Sequence, residues 1–288
     1  MQAMSRKHRE TESGPMDPKD GLAAEVVGQS VHARLEGDES ASPPRPDEAL
    51  ATRLATAPGL VRAGASCWDH ARTPIHALSM ESAYADPQLL RDLGMRGARF
   101  TPDIGVEVIV GAETAGVPLA ASISLTAEMP FAFVRKPGYR GHEIDEPPVR
   151  GADVAGRRVL LVDDAISTGT SVERFTASLT GVGAEVVGVF VLVDMRDVAA
   201  TVSPAATALP TESVSTYLQV LELATASGLL DPALHKLTVD AIVNRWTDDD
   251  ARWDLLPVTG DGSLTVPLRE ACPFVGASPL VDTETSPR

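Results

Sequence analysis

Two adjacent carboxylates, Asp163 and Asp164, stand where the sequence is best placed to do chemistry. They follow the four apolar residues 159–162, which predict a buried strand. Residues 165–171 then supply small and hydroxyl-bearing side chains before a helix begins, and Gly169 permits backbone angles that other residues avoid. Such a turn holds an anion on unpaired N–H groups at the positive end of the helix. With carboxylates beside it to accept hydrogen bonds from hydroxyls, the segment indicates a site for a phosphorylated sugar. Two acidic residues in this position can also cap a helix or face solvent.

Two further segments follow predicted strands and could bind the rest of such a ligand. Residues 111–116, Gly-Ala-Glu-Thr-Ala-Gly, come after the strand 106–110, and their glycines let backbone N–H groups approach an anion. Taken alone, this motif predicts an ordinary turn from strand to helix. Arg135 and Lys136 follow the strand 131–134. Two cations there could neutralise a bound anion, or they could simply lie at the surface.

The elements that position these segments alternate between apolar strands and amphipathic helices. This alternation predicts βαβ units and a parallel sheet covered by helices on both faces. Ligands bind such sheets at the carboxyl ends of the strands, which is where all three segments lie. The predicted strands are residues 106–110, 131–134, 158–162 and 186–193, with helices from about 118 to 126 and from about 170 to 182.

Composition excludes some classes of protein. The chain has 288 residues, 43% of them hydrophobic, and no apolar run long enough to span a bilayer, so we expect no membrane partner. The net charge is −15 with no basic stripe, so we expect no nucleic-acid partner either. The two cysteines have no metal-like or redox spacing, and the first residues lack a secretory signal, which favours the cytoplasm.

Residues 159–171 resemble the binding signature for phosphoribosyl pyrophosphate (PRPP) in the type I phosphoribosyltransferases, at every class position. The resemblance implies an α/β fold with a mostly parallel central sheet flanked by helices and an N-terminal hood. It implies that Asp163 and Asp164 are catalytic and hold the ribose hydroxyls. It implies Mg²⁺ bound mainly through PRPP and water, without direct protein ligands. PRPP would bind Ala165, Ser167, Thr168, Gly169, Thr170 and Ser171, with its pyrophosphate on Ala112, Glu113, Thr114, Ala115, Gly116, Arg135 and Lys136.

Within this family the similarity is to orotate phosphoribosyltransferases, over roughly residues 55–198. In those enzymes a flexible loop closes over PRPP and usually comes from a neighbouring subunit, which implies a homodimer. Residues 137–146 resemble that loop, with Arg140 in the place of a lysine but shifted by one residue, and we expect residues 136–150 to close over PRPP. Arg140 can stabilise charge but cannot act as a neutral proton donor near pH 7, whereas His142 can donate or accept a proton.

The part of the sequence that corresponds to the base site departs from the orotate pattern. Residues 67–80 keep a Thr-Pro-Ile but lack the lysine, tyrosine, aspartate and arginine of the subfamily. Ser167 and Arg196 are the base-binding candidates, and Arg196 lies one residue beyond the family arginine that contacts the base. An orotate-type base is our first expectation. The alternatives are a purine or specialised heterocycle, or a non-catalytic PRPP-binding regulator.

The chain divides into four parts by composition. Residues 1–45 are rich in charged residues, Ser, Gly and Pro and predict a disordered tail, and residues 273–288, rich in Pro, Ser and Thr, predict a flexible tail. Residues 46–200 predict the phosphoribosyltransferase domain, with a hood over 46–100 and a core over 101–200. Residues 201–272 predict a helical appendage, because 212–230 and 232–246 both show apolar residues at helical spacing.

Overall fold

A six-stranded sheet positions the acidic pair in the computed structural model, which describes residues 46–63, 76–136, 147–199 and 202–244. The sheet order is β5-β4-β3-β6-β7-β8, with β5 antiparallel to β4 and every other neighbour parallel. A separate antiparallel pair joins β1 to β2. The strands are β1 (Val61–Ala63), β2 (His76–Leu78), β3 (Val108–Ala112), β4 (Phe131–Val134), β5 (Val149–Gly151), β6 (Arg158–Ile166), β7 (Glu185–Asp194) and β8 (Thr211–Thr216).

Seven α-helices and one 3₁₀ helix accompany the strands in the described ranges. Two of the α-helices begin at the same signal, an aspartate followed by proline, since Asp86 and Asp231 each accept hydrogen bonds from the first backbone N–H groups. The helices are α1 (Pro46–Ala55), the 3₁₀ helix (Met80–Ala85), α2 (Pro87–Phe100), α3 (Gly116–Ala127), α4 (Thr170–Gly181), α5 (Pro204–Ala208), α6 (Tyr217–Ala226) and α7 (Pro232–Val243). None of them is long and apolar enough to cross a membrane.

The core lies in two layers, one on each face of the sheet. Alternate residues of β6 face opposite layers, so Leu160 joins one apolar cluster and Leu161 joins the other. The first cluster takes side chains from α1, α2, α3, α6 and α7, and the second takes them from α4 and α5. Because both faces are covered, the central strands consist of almost uninterrupted apolar residues.

The observed elements confirm the predicted parallel α/β fold and shift several boundaries. The strand 131–134 and the helix start at Thr170 agree with the structure. The strand predicted over 158–162 runs on to Ile166, so the acidic pair lies within β6 rather than after it. Similarly β3 includes Gly111 and Ala112, which the sequence placed in a turn.

The predicted helix from residue 212 is wrong over its first turn. Residues 211–216 form β8, which pairs with the outer edge of β7. The backbone N–H and C=O groups along that edge need partners, and this requirement outweighs the helical spacing of Val214, Leu218 and Leu221. An ion pair from Arg96 of α2 to Glu212 attaches the strand to the first layer.

Candidate active site

The acidic pair lies near the carboxyl end of β6, at the carboxyl edge of the sheet. Asp163 is 8% exposed and Asp164 is half-buried. The backbone N–H of Asp164 donates to Asp163 Oδ1 at 2.9 Å, and that of Ala165 donates to Asp164 Oδ1 at 2.8 Å. Burial raises the pKa of Asp163 well above its usual range, and the neighbouring Asp164 charge raises it further. Burial also raises the pKa of Asp164. A ligand that brings a cation to these carboxyls would therefore stabilise their charged form.

The phosphate loop, residues 166–171, joins β6 to α4. Gly169 caps the helix in the left-handed conformation at φ 81°, and α4 continues for 12 residues. Thr168 Oγ1 and Thr170 Oγ1 lie 3.0 Å apart, and Thr170 and Ser171 are exposed at the start of the helix. The backbone N–H of Thr170 donates to Thr168 Oγ1 at 3.4 Å. The loop thus places exposed hydroxyls at the N-terminus of a helix, which is the arrangement that binds a phosphate.

The pyrophosphate loop, residues 112–116, packs directly against the acidic pair. A Cβ built on Gly116 would overlap the carbonyl oxygen of Val162 and lie 2.9 Å from Asp163 Cα, so only glycine fits there. The Glu113 carboxylate accepts a hydrogen bond from the backbone N–H of Lys136 at 3.1 Å. The peptide bond between Glu113 and Thr114 is cis.

Two cations of the predicted site follow β4 and reach the same edge of the sheet. Lys136 is exposed, and Arg135 is half-buried with its backbone N–H donating to the Pro148 carbonyl at 2.8 Å. Since β4, β3 and β6 are neighbours, these cations and the two loops come together at the carboxyl ends of three adjacent strands. The structure therefore gathers all the described residues predicted to bind PRPP.

Tyr84, from the 3₁₀ helix, is a site residue that sequence reasoning missed. Its hydroxyl donates to the Ala115 carbonyl at 2.8 Å and so attaches the 3₁₀ helix to the pyrophosphate loop. Burial raises the pKa of Tyr84, and the charges of Asp164, Asp163 and Glu81 raise it further, so the phenol keeps its proton. The contact joins residues that are 31 positions apart in the chain, and no local sequence pattern predicts it.

Comparison with known proteins identifies the family. Residues 91–216 match the model of the phosphoribosyl transferase domain. The orotate phosphoribosyltransferase of Streptococcus pneumoniae is 30% identical over 174 residues, which cover 59% of this chain and 78% of that protein. The chain belongs to the phosphoribosyltransferase family.

Other members of the family resemble shorter parts of the chain. The orotate phosphoribosyltransferase of a Nocardioides species is 40% identical over 35% of this chain and 55% of its own length. The chain thus spans about half the length of the first curated relatives it matches, at 55% and 53%. A hypoxanthine/guanine phosphoribosyltransferase of Methanospirillum hungatei is 32% identical over 39% of this chain and 67% of its own length. The crystal structure of the Aeropyrum pernix orotate phosphoribosyltransferase superposes with a TM-score of 0.51 at 26% identity, covering 62% of this chain and 98% of that one.

Only some of the residues expected to bind the base lie in the part of this phosphoribosyltransferase that the structure describes. Ser167 is half-buried in the phosphate loop. The Arg196 guanidinium donates from Nε and Nη2 to the Asp194 carboxylate, at 2.6 to 3.1 Å, and from Nη1 to the Ala206 carbonyl at 3.0 Å. These hydrogen bonds to Asp194 raise the pKa of Arg196. Arg140, His142 and the hood residues 67–75 lie outside the described residues.

The chemistry of the acidic pair also indicates which kind of metal ion suits the site. Within the described ranges, no group of three or more His, Cys, Asp or Glu residues is arranged to bind a metal ion. Asp163 and Asp164 offer carboxylate oxygens, which suit a hard cation such as Mg²⁺. Mg²⁺ usually keeps several waters and is bound largely through substrate phosphates, so a Mg²⁺ that arrives with its substrate could lie beside this acidic pair without protein ligands of its own.

Proposed function

We propose that the protein transfers ribose 5-phosphate from PRPP to a nitrogenous base and releases pyrophosphate, with an orotate-type pyrimidine as the base. The observation that carries this proposal is the meeting of the phosphate loop, the pyrophosphate loop and the acidic pair on the neighbouring strands β3 and β6. A sugar with phosphate groups at both ends would span these loops, with its ring over Asp163 and Asp164. Relatives named orotate phosphoribosyltransferase support the choice of base.

The reaction breaks the bond between ribose C1 and the pyrophosphate oxygen and forms a bond from C1 to a ring nitrogen. The electron pair of the broken bond leaves on pyrophosphate, while positive charge develops on the ribose. Asp163 and Asp164 orient the ribose hydroxyls and lie beside that positive charge. Residues 112–116, with Arg135 and Lys136, receive the leaving group. Mg²⁺ bound with PRPP would neutralise part of the pyrophosphate charge.

The proposal also includes a loop over residues 137–146, outside the described residues, that closes over PRPP; the sequence extended this loop to residue 150, but Val149 and Arg150 belong to β5. Arg140 would stabilise charge on pyrophosphate, and His142 would exchange a proton with the base or leaving group. Closure would exclude water, which would otherwise attack the same carbon. If the loop acts across subunits, the protein is a homodimer, and its mass in analytical ultracentrifugation should be twice that of the 30.3 kDa chain.

Pyrophosphate release from Mg²⁺·PRPP tests the function across orotate, uracil, hypoxanthine, guanine and adenine. We expect release with orotate. Pyrophosphate release with hypoxanthine or guanine instead would show that the base is a purine. Purines are the second candidate because one relative is named hypoxanthine/guanine phosphoribosyltransferase. Binding of PRPP without release for any base would indicate a regulator.

The paired substitution Asp163→Asn with Asp164→Asn tests the site itself. We expect it to abolish turnover and to weaken Mg²⁺·PRPP binding at least tenfold, because hydrogen bonds to charged groups contribute about 1.5–3 kcal/mol each. Asp153→Asn is the matched control, since Asp153 is exposed and its one hydrogen bond in the part of the chain that the structure describes comes from the Ala155 backbone N–H. Unchanged PRPP affinity in the paired variant would contradict the assignment.

A further inference from the structure

Arg196, at the carboxyl end of β7, has its charge neutralised inside the protein. Its Nε, its Nη2 and its backbone N–H donate to the Asp194 carboxylate, and its Nη1 donates to the Ala206 carbonyl. The two side chains are 23% and 19% exposed, so solvent screens this ion pair only in part. To contact a base, Arg196 would have to leave a carboxylate that binds it through three hydrogen bonds.

The Ala206 carbonyl belongs to a segment that lies on the phosphate loop. A Cβ built on Gly169 would overlap Ala206 Cβ, so α5 packs against the turn without a gap. The backbone N–H of Ser203 donates to the Thr168 carbonyl at 2.7 Å, and its hydroxyl donates to the Glu173 carboxylate at 2.9 Å. The start of α5 is therefore attached both to the phosphate loop and to α4.

We propose that Arg196 is a positioning residue for the phosphate loop and does not contact the base. It connects the end of β7 to α5, and α5 holds Gly169 in the left-handed conformation that directs the loop N–H groups at the 5-phosphate. A loop that is already ordered loses less conformational freedom when PRPP binds. This inference rests on the proposed function, because it assigns a role within the PRPP half of that site.

The two possible roles of Arg196 predict opposite kinetic changes. If Arg196 positions the loop, Arg196→Gln raises the dissociation constant and the KM of PRPP about tenfold, as expected for losing hydrogen bonds to a charged group, and leaves the KM of the base unchanged. If Arg196 contacts the base, the same substitution raises the KM of the base and leaves PRPP binding in its absence unchanged. The measurement is titration calorimetry of Mg²⁺·PRPP without base, followed by steady-state kinetics for both substrates.

Asp194→Asn separates the two roles independently. It removes the charged partner and should release Arg196 from its present position. Under the positioning role, this variant weakens PRPP binding as Arg196→Gln does, and the double variant is no weaker than either single one. Under the base-contact role, it leaves PRPP binding intact and tightens the binding of an anionic base.

Controls distinguish a loosened loop from a damaged fold. Arg157→Gln breaks a similar ion pair, to Glu107, on the exposed side of the protein, and should leave both KM values unchanged. If Arg196→Gln does not fold, Arg196→Lys keeps the charge but loses the planar fork and should show a smaller rise in the PRPP dissociation constant. Normal PRPP affinity in folded Arg196→Lys and Asp194→Asn variants would overturn the inference. Failure of the wild-type protein to bind PRPP would instead overturn the proposed function.

Discussion

Tyr84→Phe removes a single oxygen atom from the junction between the 3₁₀ helix and the pyrophosphate loop. The ring keeps its packing, and the only hydrogen bond lost from the hydroxyl in the described residues is the one to the Ala115 carbonyl, at 2.8 Å. A hydrogen bond of this kind contributes about 0.5–1.5 kcal/mol. Ala115 is half-buried, so water can partly replace the donor, and we take about 1 kcal/mol as the cost.

This cost should appear in both stability and binding. For a fold of this size, about 1 kcal/mol corresponds to a fall of roughly 2–4 °C in the unfolding midpoint. A pyrophosphate loop released from Tyr84 must be ordered by the ligand, so we expect the dissociation constant of Mg²⁺·PRPP to rise about fivefold. The KM of the base should not change, because the contact lies on the pyrophosphate side of the site.

Differential scanning fluorimetry and titration calorimetry measure the two effects separately. Ser227→Ala is the matched control, since its hydroxyl also donates to a backbone carbonyl, that of Leu223, at the far end of α6. Because Ser227 is exposed, the control should lose less stability than Tyr84→Phe, and it should keep its PRPP affinity. If Tyr84→Phe lowers stability but binds PRPP as tightly as Ser227→Ala, Tyr84 has only a structural role.

Two further predictions concern the phosphate loop and the acidic pair. Gly169→Ala should destabilise the protein by about 1–3 kcal/mol more than Gly156→Ala, because both glycines have positive φ but only at Gly169 would the added Cβ overlap a neighbour, Ala206. Equal unfolding midpoints for the two variants would show that α5 moves aside at no cost. The raised pKa of Asp163 means that the folded protein holds a proton that the unfolded chain has already released, so the stability of the ligand-free protein should fall as pH rises from the unfolded carboxyl pKa of about 3.9 through the folded one. In the same pH range, binding of Mg²⁺·PRPP should displace that proton, and titration calorimetry in buffers of different ionisation enthalpy detects the proton release. Fewer protons should be released in Asp163→Asn. The same number of protons released by that variant would contradict the assignment to this carboxyl.

The fold could be predicted from the sequence wherever local pattern and tertiary requirement agree. Strands buried on both faces contain long apolar runs, residues 159–162 in β6 and 189–193 in β7, and Gly169 and Thr170 mark the start of α4 in the residue types themselves. β8 could not be found in this way. Its sequence, Thr-Glu-Ser-Val-Ser-Thr, has one apolar residue, and it is a strand because it completes the edge of β7.

The candidate site likewise has a part that could be predicted from the sequence and a part that could not. Asp163, Asp164 and the two loops follow predicted strands, and the topological rule for parallel sheets is enough to bring them together. The contacts that restrain the loops were not predictable, since Tyr84 and Ala115 meet only after the 3₁₀ helix packs on the sheet. The cation at Arg196 was recognised from the sequence, but its pairing with Asp194 and Ala206 depends on the path of the chain after β7.

The position of β8 limits how the protein can be shortened. A chain that stopped at residue 200 would leave residues 189–194 of β7 with unpaired backbone groups along an apolar edge. It would also remove Tyr217, which is completely buried in the first apolar cluster, and so expose the side chains of that cluster. Such an edge recruits strands from other molecules, so the truncated protein should aggregate rather than fold as a smaller enzyme. Any natural relative that lacks this region must therefore shield the strand by other means.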